Sequence, residues 1–397
     1  MSEMVPEDWE VKSLSKDIQI MSGFPFQSAF FSLDSSKIGL IRIRNLVGQK
    51  VDTFYEGEYS SDFLVKKGDF LIGMDGDFTI VKWQSGQAFL NQRICKIYLK
   101  NDKHFDLDYL YYILPVELER IHNKTGATTV KHLSVKDIRE IRRHFPPLPE
   151  QQKIASILTT VDEVIEKTES QISKLQDLKK GMMQELLTQG IGHTQYKDSP
   201  VGKIPASWKA FSLGVLCKFT QGVQIPYSDM VRRHKNGYIR YLYIRDFMDD
   251  KSLYFVKNLY GNKIVKITDL VMANTGHTAG KVFWGKDGVL SNNAFRISMD
   301  TSRINYRFLY HFLCSDFYKK EIGKLFNTAG QPHVGHGNIA RLQVGLPHLK
   351  EQILIAKIID SIDTNIQTKQ QKLQQTKNLK KSLMQDLLTG KVRVEVD

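Results

Sequence analysis

Disulfide chemistry is excluded first. The 397-residue chain has three cysteines, Cys95, Cys217 and Cys314, odd in number and far apart. That pattern fits buried thiols in a reducing cytoplasm, with neither a disulfide framework nor a metal site. No apolar run approaches the ~20 residues needed to span a membrane, and the opening MSEMVPEDWE has no apolar signal region. Nucleotide-binding loops are missing too. The nearest candidate, Gly276-His277-Thr278-Ala279-Gly280-Lys281-Val282, is one residue short of a phosphate-cradling loop and lacks the hydroxyl for Mg²⁺. There is no Gly-rich strand-to-helix turn for S-adenosylmethionine or a dinucleotide, and no Asn-Pro-Pro-aromatic motif. His333 and His336 share a loop without a second ligand pair at zinc spacing. Asp75 and Asp77 lie in Met-Asp-Gly-Asp-Phe, which is turn chemistry, and no Glu-x-Lys follows to complete a nuclease site. The expectation is a non-catalytic chain that holds no cofactor and no metal.

What is present is positive charge, unevenly spread. The net charge is +13, which points to a polyanion partner, most simply nucleic acid. Residues 1–149 carry 20 Lys and Arg against 20 Asp and Glu, whereas residues 191–349 carry 22 against 10. One half is neutral and the other strongly basic.

Also present is a long amphipathic stretch, Glu150–Thr188, with apolar residues at heptad spacing through Ile154, Leu158, Val161, Ile165, Ile172, Leu175, Met182 and Leu186. As one helix it would be about 58 Å long. Pro146, Pro147 and Pro149 are expected to stand outside it, and Gly190 to end it. The stretch recurs at Glu351–Thr389, 201 residues on, with 15 identities in 39 positions. The corresponding packing positions are Ile355, Ile359, Ile362, Ile366 and Leu373. Lys369, Thr376 and Lys380 fall on the seam of the second copy, so its middle is expected to be wet or asymmetric. The repeat reaches beyond the helices: Val5–Leu14 echoes Ile204–Leu213, Lys66–Ile72 echoes Lys266–Met272, and Tyr109–Leu114 echoes Phe308–Leu313. This is a tandem duplication of one globule-plus-helix unit.

Each globular half reads as α+β. Strands are expected at Ile38–Arg44, Asp69–Gly73, Thr79–Trp83 and Ile94–Leu99, and again at Tyr238–Ile244, Asp269–Ala273, Lys281–Trp284 and Ala294–Met299. Asp106–His122 and Ser302–Phe317 read as helices, and Ile191–Pro205 as a linker. The expected domains are 1–145, 191–345, the helices 146–190 and 346–391, and a tail at 392–397. Arg and Asn suit purine edges, Lys and Arg grip phosphates, and aromatics stack or pack. On that basis the candidate DNA-binding residues in the first half are Lys37, Arg42, Arg44, Lys50, Asn91, Gln92 and Arg93. Those in the second are Arg232, Arg233, Lys235, Arg240, Arg245, Lys281, Asn292 and Asn293. Arg139, Arg142 and Arg143 lie beside the start of the first long helix, placed to track a DNA backbone.

Together these features resemble the DNA-specificity subunit of type I restriction–modification systems. The resemblance rests on Pro-Leu-Pro-Glu-Gln-Gln-Lys-Ile-Ala at 147–155, its counterpart Leu-Lys-Glu-Gln-Ile-Leu-Ile-Ala at 349–356, the Lys-Lys…Met-Gln-(Glu/Asp)-Leu-Leu-Thr helix ends, and the Pro-x-x-Trp openings at 6–9 and 205–208. It implies two similar target-recognition domains separated by two long antiparallel coiled-coil helices, a pseudo-twofold internal repeat. It implies a bipartite double-stranded DNA target with a fixed gap, two methyltransferase subunits that use S-adenosylmethionine, and restriction or translocase subunits that use ATP and Mg. Two other expectations stand beside it: a subunit of a type II-like fused restriction system, and a coiled-coil adaptor that binds protein.

Overall fold

The computed structural model describes residues 6–124, 131–250, 253–326 and 332–396. Val5, first of the echoed opening residues, and Asp397, last of the tail, lie outside them. The chain forms two compact units. One is Met1–Glu169 with Lys372–Asp397, and the other is Ser170–Gln371. Each unit holds one globule and parts of both long helices, Leu148–Leu186 and Leu349–Leu388.

The first long helix starts earlier than expected, and Pro149 lies inside its first turn. A first-turn residue has no intrahelical acceptor for its N–H, so proline loses nothing there. Both helices run out into left-handed glycines, Gly190 at φ +69° and Gly390 at φ +75°.

Within each unit the two helices pair antiparallel. In the first, Asp162 meets Lys380 at 2.6 Å and Glu169 meets Lys377 at 2.6 Å. In the second, Lys369 donates to Gln171 at 2.7 Å and Lys179 meets Asp363 at 2.6 Å. Ile154, Leu158, Ile172, Ile355, Ile359, Ile362 and Ile366 are buried, while Val161, Ile165, Leu175 and Leu373 are half-buried. The middle of the seam is polar, as Lys369 and Lys380 foretold. Thr376 turns its hydroxyl to Lys372 O in its own helix.

The first globule carries a four-stranded antiparallel sheet ordered Ile18–Ser22, Ile94–Leu99, Phe70–Gly73, Ile80–Lys82. A second sheet centres on the parallel pair Ile38–Ile41 and Ala88–Leu90. The second globule repeats this with Cys217–Gln221, Ala294–Met299, Leu270–Ala273 and Val282–Trp284, and with the parallel pair Tyr238–Leu242 and Gly288–Leu290. The helices Leu107–Lys124 and Tyr306–Cys314 lie where the repeat expects them. The latter ends before Ser315, whose hydroxyl accepts from Tyr318 N and caps the next helix, Asp316–Gly323.

Three further expectations are corrected. The strand expected at Ile38–Arg44 stops at Ile41, because Asn45 Oδ1 accepts from Arg42 N at 2.9 Å and curls the chain into a helical turn. The strand expected at Tyr238–Ile244 stops at Leu242 for the same reason, with Asp246 Oδ2 accepting from Tyr243 N at 2.7 Å. The linker Ile191–Pro205 is partly structured, pairing Tyr196–Lys197 with Ile204–Pro205.

Each globule is welded to the start of the helix that follows it. Gln151 Oε1 accepts from Asp106 N at 3.0 Å, and its amide donates to His104 O and Pro146 O, both at 2.9 Å. Gln352 does the same with Asn305 N, Arg303 O and Pro347 O. Trp9 Nε1 donates to Glu150 at 3.3 Å, and Trp208 Nε1 to Glu351 at 3.2 Å. The repeated Pro-x-x-Trp and Glu-Gln signatures are thus two halves of one joint. Ile154, Ala155 and Leu158 then enter the first core with Leu387 and Leu388, while Ile355, Ala356 and Ile359 enter the second with Leu186 and Leu187.

Candidate nucleic-acid interface

In the second globule, the turn that ends the strand Tyr238–Leu242 carries Tyr243 and Arg245 into the wall of a cleft of about 330 Å³. Thr275, His277 and Thr278 supply another wall, from the turn after Leu270–Ala273. Ser291 and Asn293 complete it from the turn before Ala294–Met299. The sequence singled out Arg245 and Asn293 but missed Tyr243, Thr275, His277 and Ser291. The signal for Tyr243 in the sequence is its place among aromatic residues between Arg240 and Arg245.

The basic groups here lie over rings. The Arg245 guanidinium is 4.7 Å from the Tyr243 ring centroid and 6.0 Å from that of Tyr254, while Arg232 is 5.7 Å from Tyr254. Lys235 Nζ is 4.3 Å from the Tyr238 ring. Stacking on a ring leaves the N–H edges and the positive charge available to an incoming phosphate. Burial pushes the Tyr243 hydroxyl above its ordinary range, and the hydroxyl donates to Met230 Sδ at 3.7 Å. Arg232, Arg233 and Lys235 are exposed on one loop. Arg240 differs from this group: it is bound to Asp250 and only 21% exposed, so it braces its own strand. Lys281 is exposed but does not line the cleft, and Asn292 spends its amide on Gln224 Oε1 at 3.3 Å.

The first globule presents the equivalent positions with their charge already met. Arg44 donates to both carboxylate oxygens of Asp52, at 3.1 and 3.0 Å, and so holds the Asp52 carboxyl down at about 2. Asp52 lies two residues beyond Lys50. Arg93 lies 3.2 Å from Asp75, which also meets His132 at 2.7 Å. Lys37, Lys50 and Gln92 are exposed, whereas Arg42 and Asn91 are half-buried. Arg139 and Arg142 are exposed, but Arg143 turns inward to Leu388 O at 2.8 Å and Glu117 at 3.3 Å. It ties the globule to the second long helix, and burial lowers its pKa despite Glu117.

The buried thiols are inert by environment: burial pushes both Cys95 and Cys217 up to about 12. None of the described helices is long and apolar enough to cross a membrane.

Against known proteins, the sequence model of the type I restriction modification DNA specificity domain matches twice, over residues 6–176 and 205–378. The chain is 29% identical to the type I restriction enzyme MjaVIII specificity subunit of Methanocaldococcus jannaschii, over 98% of this chain and 94% of that one. It is 33% identical to the type I restriction enzyme EcoBI specificity subunit of Escherichia coli, over 47% of this chain and 39% of that one. The fold matches the crystal structure of a type I restriction–modification S subunit from M. genitalium with a TM-score of 0.64 at 15% identity, covering 96% of each chain.

Proposed function

The chain belongs to the type I restriction modification DNA specificity family, and on that premise we propose that it is the subunit that directs methyltransferase and restriction subunits to a bipartite double-stranded DNA target. In this reading it does no chemistry itself. Two methyltransferase subunits bring S-adenosylmethionine, restriction or translocase subunits bring ATP and Mg, and the work of this chain is to read two half-sites across a fixed non-specific gap.

The observation that carries the reading is the duplicated globule, each copy joined through the same Trp–Glu and Gln clamp to paired antiparallel helices. Such a scaffold holds two related readers in one chain, as a homodimer holds two identical ones. The Arg- and Tyr-lined cleft and the exposed Arg232, Arg233 and Lys235 of the second globule suit a polyanion such as DNA.

The test is to co-express the chain with its genomic neighbours and map adenine methylation by single-molecule sequencing. A split motif with one fixed gap is the expected result. A stable complex that methylates nothing, or a contiguous motif, would overturn the proposal.

A further inference from the structure

The duplication allows two positions to be compared atom for atom. Arg93 O accepts from Met74 N at 2.9 Å, and Asn293 O accepts from Asn274 N at 3.1 Å. Ile94 N donates to Asn91 O at 2.9 Å, and Ala294 N to Ser291 O at 3.2 Å. Behind these turns the sheets keep the same register, Ile94 opposite Gly73 and Ala294 opposite Ala273. Arg93 and Asn293 therefore fill one structural position with two different side chains.

In both globules the backbone of this residue is locked while its side chain faces solvent. Arg93 is 57% exposed, and Asp75 lies 3.2 Å from its Nη1, which tethers one end of the guanidinium and leaves its remaining N–H groups to a ligand. Asp75 is itself held by His132. Asn293 has no carboxylate to orient it among the described residues, and it stands in the cleft wall beside Ser291. The Ser291 hydroxyl is buried, at 1% exposure, and no group among the described residues bonds to it. Asp246, one residue after Arg245, likewise has a buried carboxylate oxygen without a partner among the described residues. A buried hydroxyl on a cleft wall is left to a water or to a polar group that enters the cleft.

We propose that Arg93 and Asn293 specify bases, Arg93 a guanine in one half-site and Asn293 an adenine in the other. The proposal rests on the DNA-specificity reading above. The chemistry follows from edge patterns in the major groove. A guanidinium offers two parallel N–H groups that match guanine O6 and N7. A carboxamide offers one donor and one acceptor that match adenine N7 and N6–H. Asn292, next in the chain, is a weaker candidate because its amide is already engaged by Gln224.

The experiment is the methylation map of the assembled complex, repeated with single substitutions. Arg93→Asn should relax one G·C position in one half-site or turn it to A·T, with discrimination at that position falling about 5- to 150-fold. The other half-site should be untouched. Arg93→Lys keeps the charge but loses the fork, so methylation should persist with the same position relaxed. Asn293→Ala should relax one A·T position in the opposite half-site, other than the methylated adenine itself. A variant that no longer supports methylation is read instead by fluorescence anisotropy of the assembled complex on the native site and its single-base derivatives. An unchanged motif, a change in both halves, a change at another base, or an equal loss of binding on every sequence overturns the proposal. If the unsubstituted complex gives no split motif, the specificity reading itself has failed. If it gives one that the substitutions leave unmoved, only the base assignment has failed.

Discussion

Lys380 Nζ lies 2.6 Å from Asp162 Oδ1, joining the second long helix to the first. The duplication makes this contact one of two. Lys179 is the repeat-mate of Lys380 and Asp363 that of Asp162, and these two also pair at 2.6 Å. Each copy's Asp takes the other copy's Lys, the pattern of a twofold interface written into one chain.

Reversing one of these charges should therefore be costly, and reversing both should restore the ion pair. Lys380→Glu is expected to destabilise the first unit by about 1 kcal/mol, since the pair is only partly shielded from solvent. Lys380→Glu with Asp162→Lys should recover the ion-pair share of that, though not the hydrogen bond that Asp162 also accepts from Tyr112. Urea unfolding of the two single variants and the double variant checks it. A double variant no better than the sum of the singles would show that the pair is uncoupled.

A second joint closes the tail onto the start of the chain. Arg393 bonds Glu150 at 2.7 Å and Asp8 at 2.7 Å, and Glu150 is only 2% exposed. Arg393→Ala leaves a buried carboxylate with the Trp9 N–H as its one side-chain donor among the described residues, and should cost the first unit about 1–3 kcal/mol. In the second unit His193 stands in the same role against Glu351, at 2.9 Å. Arg393→His should for that reason be milder than Arg393→Ala in the same thermal melt.

The paired helices set a length. Seven residues inserted after Ser170 together with seven after Gln371 preserve the heptad seam and add about 10 Å of helix. The methylation motif should then keep both half-sites and lengthen its gap by about three base pairs. Altered half-sites would mean that the helices do more than space the readers.

The second globule should supply most of the salt-dependent grip on DNA. Arg232 and Lys235 lie over tyrosine rings, whereas Arg44 and Arg93 already face Asp52 and Asp75. Replacing Arg232, Arg233 and Lys235 with alanine should reduce the slope of log K against log salt by about 2–3, one counterion for each lost phosphate contact. An unchanged slope places those contacts elsewhere.

Periodicity carried the long helices and the duplication in the sequence, because an apolar seam repeats at short range and leaves a mark in any window. The Gln151 and Glu150 identities were visible as well, but their meaning was not: their partners His104, Asp106 and Trp9 are distant in the chain. Charge counting found the basic half yet misjudged individual cations. Nothing in a run of basic residues shows that Asp52 will reach back to Arg44, or that Leu388 O will draw Arg143 inward. The turns at Arg42 and Tyr243 were read as continued strand, since one side-chain bond to the backbone outweighed the strand propensity of the residues around it.

The two units should also differ in acid. His311 Nε2 meets Asp360 Oδ1 at 2.6 Å, while the matching Tyr112 donates to Asp162 at 2.8 Å. Around His311 stand Arg307 on Asp360, Lys179 on Asp363, and Tyr310 and Cys314 on its own helix. Burial lowers the His311 pKa below its ordinary 6.5, and the pull of Asp360 does not restore it. Burial works to raise Asp360, but hydrogen bonds from Arg307 and His311 outweigh it and hold the carboxyl below 3.8. Both shifts have the same sign. The unfolded chain binds more protons than the folded one, so the stability from His311 is complete above pH 6.5 and is lost as pH falls below it. The Asp360 share is lost only on further acidification, below 3.8. Tyr112 has no titration near neutrality to match this, because burial drives its hydroxyl upward. Pulse proteolysis in urea at pH 7.5, 6 and 5 should show fragments of the second unit losing protection first. His311→Gln can keep a donor to Asp360 without titrating, and should flatten that pH dependence between 7.5 and 5. If the dependence survives the substitution, the acid-sensitive group is not His311.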